Sequence, residues 1–300
     1  MSVCMASSLS MIFTVFPINL PSGDIPARLN QKKWTLLSYN ICQFLDQTHE
    51  YAENKNPGIE YILEKDADIV VLAEGRWLCP LKGNYITQEL IDKLHARYPY
   101  FFIGEDISFF SKFPADTVSL NEFPKQLYGR SSAESKVGAL QVDIHGNKTT
   151  ILGLHLKSLG LTRNDKDIYE DLTRGEGLTS KYEISEIKND VLRKISFANR
   201  ERAKQVKGLL REIEILNSDN LIVCGDFNDT PGCFALHQLE SIGMREVYPL
   251  VGSGYMSTYN KDRLFFQIDH VLFKGSFRPW HLERDNIKSS DHFPLFVTFI

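Results

Sequence analysis

The chain has 300 residues, of which 43% are hydrophobic and 24% are charged. This composition is typical of a globular protein with a sizeable core and excludes an intrinsically disordered chain. The formal net charge of −4 at pH 7 gives no global positive field, so a dedicated high-affinity nucleic-acid-binding protein is disfavoured. An enzyme acting on such a substrate needs only local positive charge.

Residues 1–32 predict a leader or a weak signal segment in front of the main domain. The stretch "MIFTVFPINL" has the length of a signal-peptide core, but no Lys or Arg precedes Arg28. Because secretory signals begin with a positively charged region, a poorly ordered or packed leader is favoured over a cleaved signal. No apolar run reaches the roughly 18 residues that a membrane span needs, so we predict no transmembrane segment. The expected location is cytoplasmic, or secreted or periplasmic if the segment is a signal peptide.

From Trp34 onwards, short apolar strands alternate with helices and predict one α/β domain over residues 33–300. The runs "WTLLSYNI" and "ADIVVLAEG" predict buried strands, and "PGIEYILEKD" between them has helical spacing. The stretch "YFFIGEDISFFSKFP" predicts two strands joined around Gly104, although "FFSKF" alone also suits an exposed loop that contacts membranes. A hairpin is predicted in "KVGALQVDIHGNKTTILGLHLKS", with its turn at residues 145–147.

The second half of the domain begins with a long polar stretch over residues 159–188, which indicates a solvated insertion or a substrate-facing loop. The strongest helical pattern follows, with apolar positions that include Leu192, Val206 and Leu209. A strand in "NLIVCGDFND", a helix in "PGCFALHQLESIG" and strands in "FFQIDHVLF", "PWHLERDN" and "FPLFVTFI" complete the domain. Five scattered cysteines without a CxxC pair predict reduced thiols and no zinc site.

Polar side chains recur at or just beyond the apolar runs of several predicted strands. The set comprises Asn40, Glu74, His155, Asp226, Asn228, Asp269, His270, Asp291 and His292. Singly, each has a structural explanation, such as a turn residue for Asn40 or a core histidine for His155. Asp269 is harder to explain in this way, because an unpaired buried carboxylate is costly and needs a partner such as a histidine.

Taken together, these residues predict metal-assisted hydrolysis of a phosphoester. The amide and carboxylate oxygens are ligands that suit Mg²⁺ or Mn²⁺ rather than zinc. The histidines and the buried aspartate add groups for proton transfer and for stabilising a phosphate.

The order of "SYN", "LAEG", "SKFP", "GLHLKS", "RAKQ", "GDFNDTP", "QIDHVLF" and "SSDHFP" resembles the endonuclease/exonuclease/phosphatase superfamily, from about Trp34 to Ile300. That superfamily includes pancreatic-type deoxyribonucleases, abasic-site endonucleases, inositol polyphosphate 5-phosphatases and neutral sphingomyelinases. The resemblance implies a four-layer α/β/β/α sandwich of two packed mixed sheets flanked by helices. It also implies an active site at one edge of the two sheets.

The resemblance further implies a role for each residue of the set. By the family's pattern, Glu74 is the principal metal ligand, assisted by Asn40 and Asp291. Asp226 orients or deprotonates the attacking water, and Asn228 and His155 hold the scissile phosphate. His292, paired with Asp269, places a positive charge and a proton beside the phosphoryl oxygens. The helical residues Arg202 and Gln205 of "RAKQ" are expected to brace the sheet edge.

The chain departs from the family's pattern at three positions. Ala73 stands where many members have Gln before the metal-binding Glu, which implies weaker support of the metal ligand. Cys42 stands where abasic-site enzymes often have Asp, which disfavours that subfamily. Lys112 stands where Arg is commoner. A lysine offers a point charge in place of the bidentate hydrogen bonding of an arginine.

The favoured hypothesis is a monomeric, nuclease-like phosphodiesterase that acts on a phosphoester substrate, with nucleic acid as one candidate. The alternatives are a phosphomonoesterase or a lipid phosphoesterase, and a catalytically dead binding module, which the intact set of site residues disfavours. Substrate choice stays open, since acidic residues outnumber basic ones between residues 163 and 193. Rim residues that could contact a nucleic acid are Arg76, Trp77, Lys157, Arg163 and Lys166.

Overall fold

The structure is a computed structural model that describes residues 17–20, 32–45, 55–77, 86–123, 136–160, 181–261 and 265–300. Within these residues the chain forms two six-stranded mixed sheets, which pack face to face and carry helices on their outer faces. The predicted α/β/β/α sandwich is therefore confirmed. No helix in this part of the chain is both long and apolar enough to cross a membrane.

The first sheet contains the strands that carry the first predicted metal ligands. In spatial order it consists of β13 (Pro279–Arg284), β14 (Leu295–Phe299), β2 (Trp34–Asn40), β3 (Ile69–Ala73), β5 (Ser108–Ser111) and β4 (Tyr100–Ile103). Strands β2 and β3 are parallel, and the other neighbours are antiparallel. The parallel pair therefore places the carboxyl ends of β2 and β3 at the same edge of the sheet.

The second sheet has the same arrangement around a central parallel pair. In spatial order it consists of β10 (Arg245–Glu246), β12 (Asp269–Lys274), β9 (Leu221–Asp226), β8 (Asn147–His155), β7 (Lys136–Ile144) and β6 (Ala115–Val118). Strands β8 and β9 are parallel, and β12 runs antiparallel to β9. A separate short pairing joins β1 (Ile18–Asn19) to β11 (Gly254–Tyr255).

The described residues also form five α-helices: α1 (Pro57–Lys65), α2 (Gln88–Arg97), α3 (Lys181–Leu216), α4 (Phe234–Ser241) and α5 (Tyr248–Val251). The first of them shows how local sequence sets these bounds. The Asn56 side chain accepts a hydrogen bond from the Ile59 backbone N–H at 3.1 Å and so caps the start of α1. Asp66 ends the helix in the left-handed conformation, with φ of 53°.

Three layers of buried apolar side chains hold the sandwich together. The central layer lies between the sheets and contains Val71 of β3 and Ile222 of β9. On the outer face of the first sheet, α1 and α2 bury residues such as Ile62. On the outer face of the second sheet, α3 and α4 bury Val206 and Leu236. Both sheets are thus covered on both faces, which explains the near-continuous apolar runs of their central strands.

The predicted elements correspond to the observed ones, with two differences around α3. This helix begins at Lys181, so the last eight residues of the predicted polar stretch 159–188 are helical, and residues 161–180 lie outside the described part. Leu192, expected on the apolar face of the helix, is 51% exposed, whereas Val206 is fully buried. Sequence periodicity identifies the apolar face of a helix, but it does not show which part of that face the sheet covers. Residues 109–111 of "FFSKF" lie in the buried strand β5, so the favoured prediction of a strand is confirmed over the alternative of a membrane-contacting loop.

The two sheets approach each other closely at Gly153 of β8. A Cβ atom at this position would lie 2.6 Å from the Cγ2 atom of Ile107 and 2.7 Å from the Cγ1 atom of Val71 in the other sheet. Both distances are too short for carbon atoms that are not bonded, so glycine is required for the observed spacing of the sheets.

We expect Gly153→Ala to lower the free energy of unfolding by about 1–3 kcal/mol, because it overpacks a filled core. Urea unfolding measures this change directly. In an Ile107→Ala background, where one of the two close contacts is missing, the same substitution should cost less. Strictly additive effects of the two substitutions would contradict the steric explanation.

Candidate active site

The predicted site residues converge because the carboxyl ends of both parallel strand pairs lie at one edge of the sandwich. Asn40 ends β2 and Glu74 follows β3, while His155 and Asp226 end β8 and β9 in register with each other. Asp269, the first residue of the antiparallel strand β12, pairs with Asp226. The Asn40 Nδ2 atom donates a hydrogen bond to Asp226 Oδ2 at 3.0 Å and thereby joins the two sheets.

Asp226 lies at the centre of this edge and is only 2% exposed. Its Oδ1 atom accepts a hydrogen bond from the Asn228 backbone N–H at 2.8 Å. Its Oδ2 atom lies 3.7 Å from the Nε2 atom of His155 and 3.7 Å from the Nε2 atom of His292. Burial raises the pKa of Asp226, while the two histidines oppose this rise. The carboxylate is therefore a better proton acceptor than an exposed aspartate.

His292 and Asp269 form the buried pair that the family resemblance implies. The His292 Nδ1 atom donates to Asp269 Oδ2 at 2.8 Å. Burial alone would lower the pKa of His292, but the negative charges of Asp269 and Asp226 raise it to about 10. The ring is therefore an imidazolium at neutral pH, with its Nε2–H directed towards Asp226 and the site.

Asp106 is a site residue that sequence reasoning missed. Its Oδ2 atom accepts a hydrogen bond from His155 Nδ1 at 2.8 Å, and its side chain is buried. Burial alone would lower the pKa of His155, but the hydrogen bond to Asp106 and the charge of Asp226 raise it. In the sequence, Asp106 stands in a short "GEDIS" loop, where an aspartate is an ordinary turn residue.

We expect Asp106→Asn to lower turnover by about ten- to hundredfold, because the carboxylate orients the His155 ring and stabilises its charged form. The measurement is kcat/KM for a phosphodiester, together with urea unfolding to test for loss of fold. The control is Asp116→Asn, since Asp116 is an exposed aspartate on the edge strand β6. Full activity of Asp106→Asn would show that the hydrogen bond is only structural.

Glu74 occupies a left-handed backbone position directly after β3, with φ of 55°. Its Oε1 atom accepts a hydrogen bond from Asn40 Nδ2 at 3.3 Å, and its Oε2 atom accepts one from Gln43 Nε2 at 3.4 Å. Gln43 lies in a turn of three consecutive non-glycine residues with positive φ, from Cys42 to Phe44. Gln43 thus gives Glu74 an amide partner from another element, although position 73 is Ala.

The donor set around Glu74 fits a hard divalent cation. The half-buried Glu74 carboxylate and the Asn40 amide oxygen are oxygen ligands of the kind that Mg²⁺ and Mn²⁺ prefer. Atoms of Asp226, Asp269 and His292 also lie within 4.8 Å of one another and could hold one ion. Because His292 and Asp269 already pair through His292 Nδ1 at 2.8 Å, we assign this second cluster to proton transfer.

Asn228 and Asp291 flank the central groups in different ways. The Asn228 Nδ2 atom donates to the Leu156 carbonyl at 3.0 Å, which holds the side chain against the end of β8. Asp291 is half-buried, and the negative charge of its carboxylate helps to raise the pKa of the neighbouring His292. In the described residues, no hydrogen bond joins its carboxylate to Asn40 or Glu74.

The segment around Asp291 is nevertheless fixed to the end of β2. The Ser290 hydroxyl donates to the Asn40 carbonyl at 2.8 Å and accepts from the His292 backbone N–H at 3.1 Å. Sequence reasoning did not assign this role to Ser290, since a serine before an aspartate is common in loops. Through these two hydrogen bonds, the Ser290 side chain links the backbone of His292 to the end of β2.

Two motif residues on α3 brace the edge of the second sheet, as predicted. The Arg202 Nη1 atom donates to the Lys157 carbonyl at 3.0 Å, and its Nε atom donates to Asp229 Oδ2 at 3.1 Å. The Gln205 Oε1 atom accepts from the Lys157 backbone N–H at 2.9 Å.

His270 is also structural, because its buried ring contacts Glu246 Oε1 at 2.7 Å.

Lys112 and the predicted rim residues are less closely tied to the site. Lys112 lies at the opposite edge of the first sheet, where its Nζ atom contacts Asp66 Oδ1 at 2.7 Å. Its point charge therefore supports the fold rather than the site. Of the predicted rim residues, Arg76 is exposed and Lys157 is half-buried. The Trp77 side chain, Arg163 and Lys166 lie outside the described part of the structure.

Two packed mixed sheets, with carboxylate, amide and imidazole groups meeting at one edge, define a hydrolase of the metal-dependent phosphoesterase class. The sequence profile described as "Endonuclease/Exonuclease/phosphatase family" matches residues 37–292. The chain therefore belongs to the endonuclease/exonuclease/phosphatase family. Enzymes of this family generally use divalent metals. Among curated proteins, none matches the chain in sequence.

Solved structures with the same fold come from bacteria and from an animal. The endonuclease/exonuclease/phosphatase from Bacteroides vulgatus has a TM-score of 0.57 and 14% identity, and the match covers 90% of this chain and 99% of that one. The protein of the same description from Beutenbergia cavernae has a TM-score of 0.57 and 16% identity, covering 90% and 72%. D. rerio TDP2 complexed with single strand DNA product has a TM-score of 0.51 and 15% identity, covering 90% and 100%. At such low identity, these similarities show a shared fold.

Proposed function

We propose that the protein is a divalent-metal-dependent phosphodiesterase of the nuclease-like kind, which hydrolyses its substrate by attack of an activated water. The observation that supports this most strongly is the position of Asp226 Oδ2, which lies 3.7 Å from the Nε2 atoms of both His155 and His292. A buried proton acceptor between two histidines can receive a proton while the imidazolium ring stabilises negative charge nearby. Hydrolysis of a phosphoester requires both actions.

In this proposal, Glu74 and Asn40, with Asp291, hold Mg²⁺ or Mn²⁺. When bound, the ion neutralises charge on the phosphate and polarises it towards attack. Asp226 orients the water and accepts its proton at Oδ2. Asn228 and His155 contact the phosphate oxygens, since the second amide N–H of Asn228 has no acceptor among the described residues beside the bond to Leu156. This division of roles matches the one that the family resemblance implies.

His292 supplies positive charge where the phosphate gains negative charge. Its Nδ1–H is held by Asp269, so its Nε2–H is the donor available to a phosphoryl oxygen. Because the ring is buried and already protonated, it needs no reorganisation when the negative charge develops. The bound single strand DNA product in the D. rerio TDP2 structure supports nucleic acid as the substrate class.

A lipid phosphoesterase is the second candidate, because the edge strand β4 exposes apolar side chains. Phe101 and Ile103, which share one face of β4, are both exposed, and Ile103 pairs with Ser108 at the same edge of the sheet as Glu74. Such a patch beside the site could rest on a lipid surface. A phosphomonoesterase would use the same central groups on a smaller substrate.

Hydrolysis of bis(p-nitrophenyl) phosphate and p-nitrophenyl phosphate, each with Mg²⁺, Mn²⁺ or EDTA, tests the proposal. We expect metal-dependent cleavage of the diester, together with nicking of a plasmid. Cleavage of the monoester alone would show a phosphatase. Cleavage of sphingomyelin vesicles without plasmid nicking would favour the lipid enzyme. No metal-dependent turnover of any substrate would indicate a binding module.

The boundary between a leader at residues 1–32 and a domain at residues 33–300 stays a prediction, as do the monomeric state and the cytoplasmic location. Residues 17–20 belong to the described part of the chain, and the Asn19 side chain donates to the Gly252 carbonyl at 2.8 Å. A truncation that removes residues 1–32 would therefore remove a packed contact as well.

A further inference from the structure

Arg284 is a half-buried arginine on the same edge of the sandwich as the proposed active site. It ends β13, where it pairs with Leu295, and Leu295 pairs in turn with Ser38 near the end of β2. The Arg284 guanidinium stacks on the ring of Phe293, with 4.4 Å between its central carbon and the ring centroid. Phe293 directly follows His292, so the arginine lies beside the proposed acid–base groups.

The positive charge of Arg284 has no close carboxylate partner among the residues that the structure describes. Burial lowers the pKa of this guanidinium, and only Asp285 opposes the effect. The Asp285 carboxylate is already engaged, since it contacts Lys65 Nζ at 2.7 Å and the Tyr61 hydroxyl at 2.8 Å. A desolvated cation without a partner is unfavourable unless an anion binds to it.

Arg284 also lines an open cavity of about 360 Å³ between β11 and β13. The lining residues are Ser253, Tyr255, Met256, His281, Leu282, Glu283 and Arg284. Glu283 does not neutralise Arg284, because successive strand residues point to opposite faces and its carboxylate contacts Lys65 at 2.8 Å. Arg284 shares its face of β13 with buried Leu282, and Ser253 and Tyr255 also line the cavity.

We propose that Arg284 binds a second phosphate group of the substrate, next to the phosphate that is cleaved. This subsite rests on the proposed phosphodiesterase function. It specifies the substrate of the enzyme as a nucleic-acid strand with successive phosphates. Stacking on Phe293 leaves the N–H groups in the guanidinium plane free to donate to phosphate oxygens in a bidentate manner. The open cavity beside Arg284 leaves room for a phosphate and for the sugar attached to it.

The distance between Arg284 and the metal-binding residues favours a nucleic-acid strand over a small phosphoester as the substrate. Arg284 and Asn40 lie on strands that are two positions apart in the first sheet, which corresponds to about 10 Å. One phosphate group is too small to contact both positions at once. A single-stranded nucleic acid carries phosphates at regular intervals and can place one at Glu74 and Asn40 and another at Arg284.

The test is the affinity of a fluorescein-labelled single-stranded oligothymidylate for Arg284→Gln, measured by anisotropy in EDTA over a range of salt concentrations. We expect the variant to bind about tenfold more weakly than the wild type. The slope of log K against the logarithm of the salt concentration should be smaller in magnitude by about 0.7. Hydrolysis of bis(p-nitrophenyl) phosphate, which has one phosphate, should be unchanged. The matched control is Arg245→Gln, since Arg245 stacks on Phe273 in the same way but lies at the far edge of the other sheet.

Wild-type affinity and salt dependence in Arg284→Gln would overturn the subsite, as would an equal loss in Arg245→Gln. An equal loss of bis(p-nitrophenyl) phosphate hydrolysis would also overturn it, because Arg284 would then act on the central site. If Arg284 contributes to binding of inositol trisphosphate, and this ligand binds more strongly than oligothymidylate, the assignment of a nucleic-acid strand as the substrate would be overturned. If the wild type hydrolyses no diester but Arg284→Gln binds the oligonucleotide less tightly, the proposed function fails and the subsite stands.

Discussion

Asp226→Asn is expected to lower kcat/KM for a phosphodiester by about a hundredfold or more, while the protein stays folded. Asn has nearly the same shape as Asp, so its amide oxygen can still accept the hydrogen bond from the Asn228 backbone, while the bond from Asn40 is lost. It cannot accept a proton from the attacking water, and loss of a positioned acid–base group typically costs about 10²–10⁴ in rate. Steady-state kinetics on bis(p-nitrophenyl) phosphate with saturating Mg²⁺ measures the effect.

The fold of this variant needs its own measurement, because Asp226 is buried among charged groups. Removing its negative charge relieves repulsion with Asp269 but also removes a counter-charge from His292. Since these effects oppose each other, we expect the midpoint of urea unfolding to change little. Near-wild-type turnover of Asp226→Asn would exclude the assigned role, and Asp116→Asn is again the control for substitution at an exposed aspartate.

Much of the site could be predicted because its residues follow strands that are visible in the sequence. The apolar runs before Asn40, Glu74, His155 and Asp226 mark buried strands, and the carboxyl ends of parallel strands share an edge. The cost of burying an isolated carboxylate predicts a histidine partner for Asp269, and the family resemblance specifies that partner as His292. The resemblance also supplies the expectation that these strand ends meet at one edge.

Asp106, Gln43 and Arg284 could not be predicted by the same means. Asp106 is 49 residues away from its partner His155, and nothing local distinguishes it from other turn residues. Gln43 reaches Glu74 only because three successive non-glycine residues adopt positive φ, a conformation that sequence preferences disfavour. The proposal for Arg284 depends on its contact with Phe293 and on the lack of a carboxylate partner within the described ranges, and both are properties of the tertiary structure.

The left-handed turn from Cys42 to Phe44 illustrates how the core fixes functional geometry. Phe44 is fully buried, and its carbonyl accepts a hydrogen bond from Asn56 Nδ2 at 2.9 Å. The Cys42 backbone N–H donates to Asn40 Oδ1 at 3.1 Å. Positive φ angles at non-glycine residues are strained and persist only where surrounding contacts enforce them. They are commonly found at functional sites. Here they place Gln43 against the proposed metal ligand.

Glu74→Gln is the second substitution with a large expected effect, because it removes the charged ligand of the proposed metal site. The side chain keeps its size, and Asn40 and Gln43 remain as hydrogen-bonding neighbours. A neutral amide is a much poorer ligand for Mg²⁺ or Mn²⁺ than a carboxylate. We expect turnover to fall by about a hundredfold or more, with partial recovery at high metal concentration.

Binding of Mn²⁺, measured by electron paramagnetic resonance without substrate, separates loss of the metal from loss of chemistry. We expect Glu74→Gln to bind Mn²⁺ at least about tenfold more weakly than the wild type. Asp226→Asn should bind it with nearly unchanged affinity, because Asp226 is assigned to proton transfer. Glu105→Gln is the matched control, since Glu105 is an exposed glutamate next to Asp106. If Asp226→Asn loses Mn²⁺ and Glu74→Gln retains it, the ion is held by the Asp226, Asp269 and His292 cluster instead.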